Sequence, residues 1–392
     1  MDSVDFLSMP MSEPLIQFHP VELPEQAQVA RDEVRKFLAG ERDAGRFVPG
    51  ELGRHDPEFS RRCGAEGFIG MTWPKVFGGH ERTFLERYVV SEEMLAAGAP
   101  VWAHWVADRQ SGPVLLRYGH ESVRAEILPK IVRGECYFCI GMSEPDSGSD
   151  LFSLKSKATA ADGGWLINGR KLWTSNAHRS DYMIALLRTS PPAENNRRHG
   201  LTQFLVNMDA PGIDVRPIEN LSGVADFNEV TFDNVFVPST HLIGEVDQAW
   251  KQATGELAFE RSGPERFLET IFVLYELIRA AGEHPDVRLA EGIGRLTAEL
   301  CTLRQLSLSV AGMLQEGHVP EVEAALVKEL GTDWEQLLPA RARELLPVRH
   351  AGPNSAFEET LRHATLMAPK LTIQGGTREI LKGIIARGLG LR

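Results

Sequence analysis

Cysteine is scarce in this chain of 392 residues, with four in all: Cys63, Cys136, Cys139 and Cys301. Scaffolds held by disulfides carry many more, so the core here must rest on apolar burial, which a chain of this length can supply. Cys136 and Cys139 form one C-x-x-C with no second pair and no histidine nearby. A structural zinc site takes about four ligands, so no metal site is expected and two small residues in a strand are read instead. Long apolar runs are missing too. Stretches such as Tyr182 to Leu187 fall far short of the ~20 residues that span a bilayer. Basic residues are in deficit, 42 against 54 acidic ones, giving a formal net charge of −12. Nucleic acid as main partner would need a basic footprint; a few local arginines still suffice for a small anion. Met1 to Pro14 mixes acids, prolines and methionines without an apolar centre. No secretory leader is expected, and a cytoplasmic, reducing location is the default. No G-x-G-x-x-G follows a predicted strand and no nucleophile elbow occurs, so nicotinamide binding and serine-hydrolase chemistry have no support.

What is present falls into three stretches, preceded by a lead over 1–20. From 21 to 135 the pattern is helical. Pro24 precedes apolar positions Ala27, Ala30, Val34, Phe37 and Leu38 at helical spacing, and further helices are read at Glu58–Gly67, Phe84–Ala97, Gly112–Tyr118 and Glu121–Val132. Glu51 to Gly53 reads as loop, and Pro129 is expected to break the last helix. From 136 to 245 strand and turn signals take over. Asp162-Gly163-Gly164 and Asn168-Gly169 both read as hairpin turns, and the spacing predicts a compact antiparallel barrel or sandwich. From 246 to 392 long helical patterns return: Trp250–Phe259, Phe267–Ala281, Val287–Gln315, Val322–Leu338 and Phe357–Met367. Four or five such helices make a bundle. The fold class expected is α+β: helical domain, central antiparallel β-barrel, C-terminal four-helix-type bundle.

The stretch richest in chemistry is Gly141-Met142-Ser143-Glu144-Pro145-Asp146-Ser147-Gly148-Ser149-Asp150. Small hydroxylated residues around glycine can turn backbone N–H groups and hydroxyls toward an anion or the polar edge of a flat heterocycle. The same composition also makes an ordinary turn.

This decapeptide resembles the first signature of the acyl-CoA dehydrogenase family, and other segments follow in the family's order. Trp73-Pro74 with Phe77-Gly78-Gly79, and Glu92-Glu93-Met94-Leu95, resemble its N-terminal helices. Asn168-Gly169-Arg170-Lys171-Leu172-Trp173-Thr174-Ser175 resembles its flavin-contacting strand. Pro211-Gly212-Ile213 and Phe232-Asp233-Asn234-Val235-Phe236-Val237-Pro238 resemble the barrel exit, and Gly375-Gly376-Thr377-Arg378-Glu379-Ile380 the closing segment. The resemblance runs over essentially the whole chain. It implies FAD as cofactor, an acyl-CoA thioester as substrate and α,β-dehydrogenation to the trans-2-enoyl-CoA. An electron-transfer flavoprotein would take the electrons, and a homotetramer or homodimer would be the assembly. By the same resemblance Ile140, Met142, Ser143, Gly148, Ser149, Trp173, Thr174, Ser175, Thr377 and Glu379 border the cofactor. Ser149, Arg261, Gly375 and Gly376 border the substrate.

The reaction removes a weakly acidic α proton, so a carboxylate must stand at the substrate away from water. Many family members carry that glutamate just before the Gly-Thr of the closing segment, where this chain has Gly375. Members similar to isovaleryl-CoA and long-chain dehydrogenases carry it on the first bundle helix, before an arginine. Here that place reads Phe259-Glu260-Arg261-Ser262-Gly263-Pro264. The resemblance therefore makes Glu260 the base and Arg261 its substrate-side neighbour, with Gly263-Pro264 ending or kinking the helix. Glycine at 375 leaves room for a branched, cyclic or bulky acyl group. Two departures bear on assembly. Gly282 to Arg288 lacks the basic-x-x-Phe-Gly stretch that reaches a neighbouring subunit's FAD, and only Gly352-Pro353-Asn354 stands where the family has a glycine-rich segment. Alternatives are a cofactor-binding subunit of a hetero-oligomer and an oxygen-using oxidase or monooxygenase of the same fold. His104, His178, His241 and His363 sit in no motif, and Asn195 to His199 reads as a solvated hairpin tip, with CoA phosphate contact the second reading.

Overall fold

The computed structural model describes residues 16–50, 54–249, 261–347 and 355–391. Its N-terminal part is helical: α1 (Glu25–Asp43), α2 (Pro57–Ala65), α3 (Phe84–Ala96), α4 (Trp102–Val106), α5 (Gly112–Tyr118) and α6 (Glu121–Val132). α1 buries Ala27, Ala30, Val34 and Leu38, one stripe at the spacing the sequence shows. α2 opens on Asp56, whose carboxylate accepts from Phe59 N at 2.9 Å, with Pro57 at the first helical position. α3 opens on a capping box in which Thr83 and Glu86 satisfy one another's backbone. Pro129 does not break α6; the helix runs three residues past it. A proline this late removes only one hydrogen bond, and buried Leu128, Ile131 and Val132 hold the last turn to the core. Glu51–Gly53 lies outside the described residues.

The central part is β1 (Phe138–Gly141), β2 (Lys157–Ala161), β3 (Gly164–Ser175), β4 (Tyr182–Arg188), β5 (Leu201–Asn207), β6 (Ile213–Ile218), β7 (Phe227–Pro238) and β8 (Leu242–Ile243). Among the described residues these form one mixed sheet in the order β6-β7-β3-β2-β4-β5-β8, with β1 also on β4. The expected closed antiparallel barrel is therefore corrected. β1 runs parallel to β4, from Phe138 beside Tyr182 to Gly141 beside Ala185, and no pairing among the described residues closes β6 onto β8. Parallel neighbours need a long crossover, here the whole β2–β3 hairpin, and turn dipeptides carry no sign of one. Asp162-Gly163 does make the β2–β3 turn. Asn168-Gly169 does not turn the chain: it lies inside β3 at a register shift opposite β7.

The C-terminal part holds α7 (Ile271–Ala281), α8 (Val287–Gln315), α9 (Glu321–Leu345), α10 (Ala356–Leu371) and α11 (Arg378–Gly388). α9 packs against α7, α8, α10 and α11. Its expected end at Leu338 is corrected, because the helix continues through buried Pro339 to Leu345. α10 likewise passes Pro369. The helix expected from Phe267 begins four residues later, after a 3-10 turn at Pro264–Arg266. Trp250–Phe259 and Gly352-Pro353-Asn354 lie outside the described residues. The two helical parts share one core, from Ala27 and Leu95 to Leu338 and Phe357. The sheet has its own core, which includes Ile167, Phe204 and Val235. No described helix is long and apolar enough to cross a membrane.

Candidate active site

The decapeptide loop leaves β1 and folds back on β3. Ser143 O accepts from Leu172 N at 2.9 Å, and Glu144 pairs backbone to backbone with Ser147 in both directions. The Glu144 carboxylate, buried, accepts from Lys155 N at 2.7 Å, Ser156 N at 3.0 Å and Lys171 Nζ at 2.9 Å. Lys171 Nζ also donates to Met142 O at 3.1 Å. Burial opposes ionisation of Glu144, but the Lys171 charge and these donors outweigh it and hold its pKa below the usual carboxylate range. Burial likewise pushes the Lys171 ammonium down to about 8, with Glu144 opposing. The fixed loop keeps Met142 and Ser143 half-buried and leaves Gly148 and Ser149 exposed. A Cβ on Gly148 would meet nothing within 4 Å.

Trp173 projects from the far end of β3. It lies within a register shift opposite β7, between Lys171 and Thr174, with φ at 60°. A left-handed tryptophan is rare, since the conformation suits small polar residues. The indole is 52% exposed, with Phe227 edge-on to it at 6.0 Å between ring centroids. Next to it Thr174 Oγ1 is buried without a hydrogen-bond partner, and Ser175 is exposed. An exposed indole, an unpaired hydroxyl and an exposed one beside an open loop are what a flat, polar-edged heterocycle such as a flavin ring requires. On these residues the cofactor fits.

A second group gathers at the start of the bundle. Arg261 is buried, and its Nε donates to Gly375 O at 3.0 Å. Gly375 and Gly376 form a left-handed turn with φ of 64° and 106°, so glycine is required twice in succession. Glu260 lies outside the described residues. Past Arg261 the chain bends at Ser262 and Gly263, and Pro264 opens a 3-10 turn; the helix expected before them lies outside the described residues. Thr377 caps α11 by accepting from Ile380 N, and Glu379 stands exposed in its first turn. The α11 backbone N–H of Glu379 and the Thr377 side chain lower the Glu379 pKa. α11 packs on α9, so Thr377 and Glu379 belong to the bundle group and not to the Trp173 group. Lys370 Nζ stands 3.5 Å from Asp226 Oδ2, tying α10 to the residue before β7, where Phe227 meets Trp173.

Residue-by-residue reading of the sequence assigned no task to the Glu144–Lys171 pair, although both residues lie inside quoted segments. The available signal was a charged residue in an otherwise apolar strand face. The loop from Asn195 to His199 is exposed and packs on the decapeptide loop. Arg197 meets Asp150 at 2.7 Å, and the Arg198 guanidinium lies 5.7 Å from the Phe152 ring. His104, unlike a surface histidine, is buried against Ser60.

Comparison with known proteins bears on this geometry. The chain matches three family models: acyl-CoA dehydrogenase, N-terminal domain, over residues 24–135; middle domain, over 139–235; and C-terminal domain, over 277–390. It is 34% identical over 331 residues to acyl-CoA dehydrogenase FadE34 of Mycobacterium tuberculosis, covering 83% of this chain but 45% of that relative. It is 31% identical over 395 residues to acyl-CoA dehydrogenase IpdE1 of Mycolicibacterium smegmatis, covering 93% of this chain and 98% of that one. Among solved structures it superposes on the Tcur3481-Tcur3483 steroid ACAD with a TM-score of 0.82 and 26% identity, over 95% of this chain and 99% of the other.

Proposed function

Since this chain belongs to the acyl-CoA dehydrogenase family and is an FAD-dependent enzyme of that family, we propose that it oxidises the α,β bond of a bulky or branched acyl-CoA to the trans-2-enoyl-CoA, with Glu260 as base. One observation carries the base assignment. Arg261 is bonded to Gly375, so the chain neighbour of Glu260 touches the closing turn in which this sequence has no carboxylate. Bound FAD supplies the acceptor for the hydride that leaves the β carbon. The rest belongs to the protein. Trp173, Thr174 and Ser175 on β3, with Ile140, Met142, Ser143, Gly148 and Ser149 from β1 and its loop, form the cofactor's wall and polar rim. Thr377 and Glu379 contribute at the start of α11. Ser149, Arg261, Gly375 and Gly376 line the thioester. Glu260 holds the α proton once it is taken, and apolar walls keep water from competing. The glycines at 375 and 376 add no side-chain volume, which suits a large acyl group. The steroid ACAD of similar fold supports that direction.

Electrons pass to an electron-transfer flavoprotein in this reading, in a cytoplasmic enzyme with domain boundaries near residues 135 and 245. The assembly is a homotetramer or homodimer. A hetero-oligomer is the second reading, favoured by the absent basic-x-x-Phe-Gly stretch and by a neighbour described under two joined names. Anaerobic visible spectra of the flavin-loaded protein, taken with straight-chain, branched and cyclic acyl-CoA thioesters, test the reaction. Bleaching of the oxidised flavin band by bulky thioesters is expected, with octanoyl-CoA slower. Glu260→Gln is expected to keep FAD and lose turnover by 10³-fold or more, on the order of what a positioned base contributes. Retention of most activity would remove Glu260 from the mechanism. Flavin content of the chain expressed alone separates the assemblies: full loading supports the homo-oligomer, and loading only with a second subunit supports the hetero-oligomer.

A further inference from the structure

Behind Arg261 lies a set of buried charges that the dehydrogenation itself does not use. Arg109 sits in a π-helical segment, Ala107–Ser111, between α4 and α5, and such segments inside helices gather at functional sites. Its guanidinium carbon stands 4.5 Å from the Trp105 ring centroid. Nη1 donates to Ser91 Oγ at 2.8 Å, and Nη2 is 3.4 Å from Glu265 Oε2. Glu265 is on the 3-10 turn that follows Arg261 and is 3% exposed. Its Oε2 is buried and receives no hydrogen bond among the described residues. Ser111, closing the same π segment, is also buried with its hydroxyl unpaired. The approach is close: a Cβ on Gly263 would lie 2.0 Å from Glu265 Oε2 and 2.5 Å from Arg109 Nη2.

Arg87, Arg109 and Arg266 are buried cations here and Asp108 and Glu265 buried anions, with Arg266 Nε 3.9 Å from Glu265 Oε1. An anionic ligand group would bring no proton to Glu265 Oε2, so an uncharged donor suits it better. What the set lacks is a hydrogen-bond donor for Glu265 Oε2, and a buried acceptor left without one is costly. A hydroxyl supplies that donor and can accept from the guanidinium in turn. The chain runs only from Arg261, at the Gly375–Gly376 turn, to Glu265, a span of at most about 14 Å even if extended. That is the reach of a medium-length acyl group.

We propose that Glu265 and Arg109 form a specificity site for the far end of the acyl group, recognising a hydroxyl that donates to Glu265 Oε2 and accepts from Arg109. The site rests on the reading of the closing turn as the thioester end. The substrate class is then a hydroxylated acyl-CoA.

The test is anaerobic titration calorimetry of the flavin-loaded protein with octanoyl-CoA and with 6-, 7- and 8-hydroxyoctanoyl-CoA, the flavin band being followed in parallel. At least one hydroxylated isomer is expected to bind tenfold or more tighter than octanoyl-CoA. Glu265→Leu is expected to bring that ratio below threefold. If this variant loses its flavin, Glu265→Gln replaces it and should cut the ratio at least threefold. Equal affinity for all four thioesters in the unaltered protein overturns the site, whatever the flavin does. A hydroxyl preference without bleaching keeps the site and removes the dehydrogenase reading instead.

Discussion

Lys171 is fully buried in the middle of β3, where a strand face would ordinarily take valine or isoleucine. Two hydrogen bonds, to Glu144 and to the Met142 carbonyl, occupy its ammonium. The Glu144 carboxylate in turn takes two backbone N–H groups from the segment leading into β2. The pair thus fixes the decapeptide loop to the strand that carries Trp173. Removing one partner leaves a buried charge alone, which costs about 3–5 kcal/mol, whereas removing both can be nearly neutral. Lys171→Met is therefore expected to lower the unfolding free energy by about 3–5 kcal/mol and to weaken flavin retention. Lys171→Met with Glu144→Gln is expected to recover at least 1 kcal/mol relative to additivity, of the size that contacting pairs show. Denaturant unfolding of the four proteins in the cycle measures it; strict additivity would mean that the pair does not act as a unit.

Around this pair, β3 is shaped by two irregularities, one at Gly169 and one at Trp173. Gly169 has φ at 144°, and a Cβ there would stand 2.3 Å from Ser156 Oγ and 2.6 Å from Ser156 Cα. Ser156 Oγ accepts from Arg170 N at 3.1 Å, so the close approach serves the same hub as Glu144. Gly169→Ala is expected to cost about 1–3 kcal/mol through overpacking and backbone strain. Gly163, in the open β2–β3 turn with φ at 74° and nothing within 4 Å of a Cβ, provides the contrast. Gly163→Asn should fall within about 1 kcal/mol, since asparagine tolerates that conformation. Shifts in denaturant midpoint measure both, and equal shifts would deny Gly169 a packing role. The same strand marks how far the sequence alone could be read. Asn168-Gly169 has the composition of a hairpin turn, and only the approach of Ser156 from a distant segment makes it a bulge. The helix starts read at Glu58, Phe84 and Val287 fall within one residue of the observed ones, which local caps on Asp56, Thr83 and Asp286 set. The prolines misled where packing overrode them, as at Pro339 between buried Leu338 and buried Ala342. The β1–β4 pairing left no local trace. The residues proposed for the flavin were named through motif resemblance, whereas the Arg109–Glu265 pair was not named, because a long stretch of chain separates two ordinary-looking side chains.

Across the whole molecule, the two helical parts are joined by one core although the sheet separates them in sequence. Glu92 on α3 binds Arg31 of α1 at 3.2 Å and Arg304 of α8 at 2.6 Å. The backbone of the entering chain is tied to the bundle as well, His19 N donating to Ser309 Oγ at 2.8 Å. A loss of packing in either helical part is therefore felt in both, and protonation of a buried group in one should unfold them together. His104 is such a group. Ser60 Oγ stands within hydrogen-bond distance of Asp56 O, at 3.2 Å, and of His104 Nδ1, at 2.8 Å. Burial lowers the His104 pKa to about 4, with Asp108 opposing. The unfolded chain binds a proton near pH 6.5, so between these values it holds more protons than the folded protein. The neutral imidazole's contribution is complete above pH 6.5 and is lost as the pH falls toward 4, about 3 kcal/mol in all. Glu144, with a lowered pKa, adds a second loss below its unfolded value near 4.3. Stability is expected to fall in two stages on acidification, the first shared with His55, whose pKa burial also lowers to about 4, and His104→Asn to remove part of the first while leaving the second. Urea unfolding at half-unit pH steps from 7.5 to 3.5, followed separately by tryptophan fluorescence and by far-ultraviolet dichroism, checks it. Coincident transitions at every pH would agree with the shared core, and an unchanged slope in His104→Asn between pH 6.5 and 4 would exclude the histidine as its source.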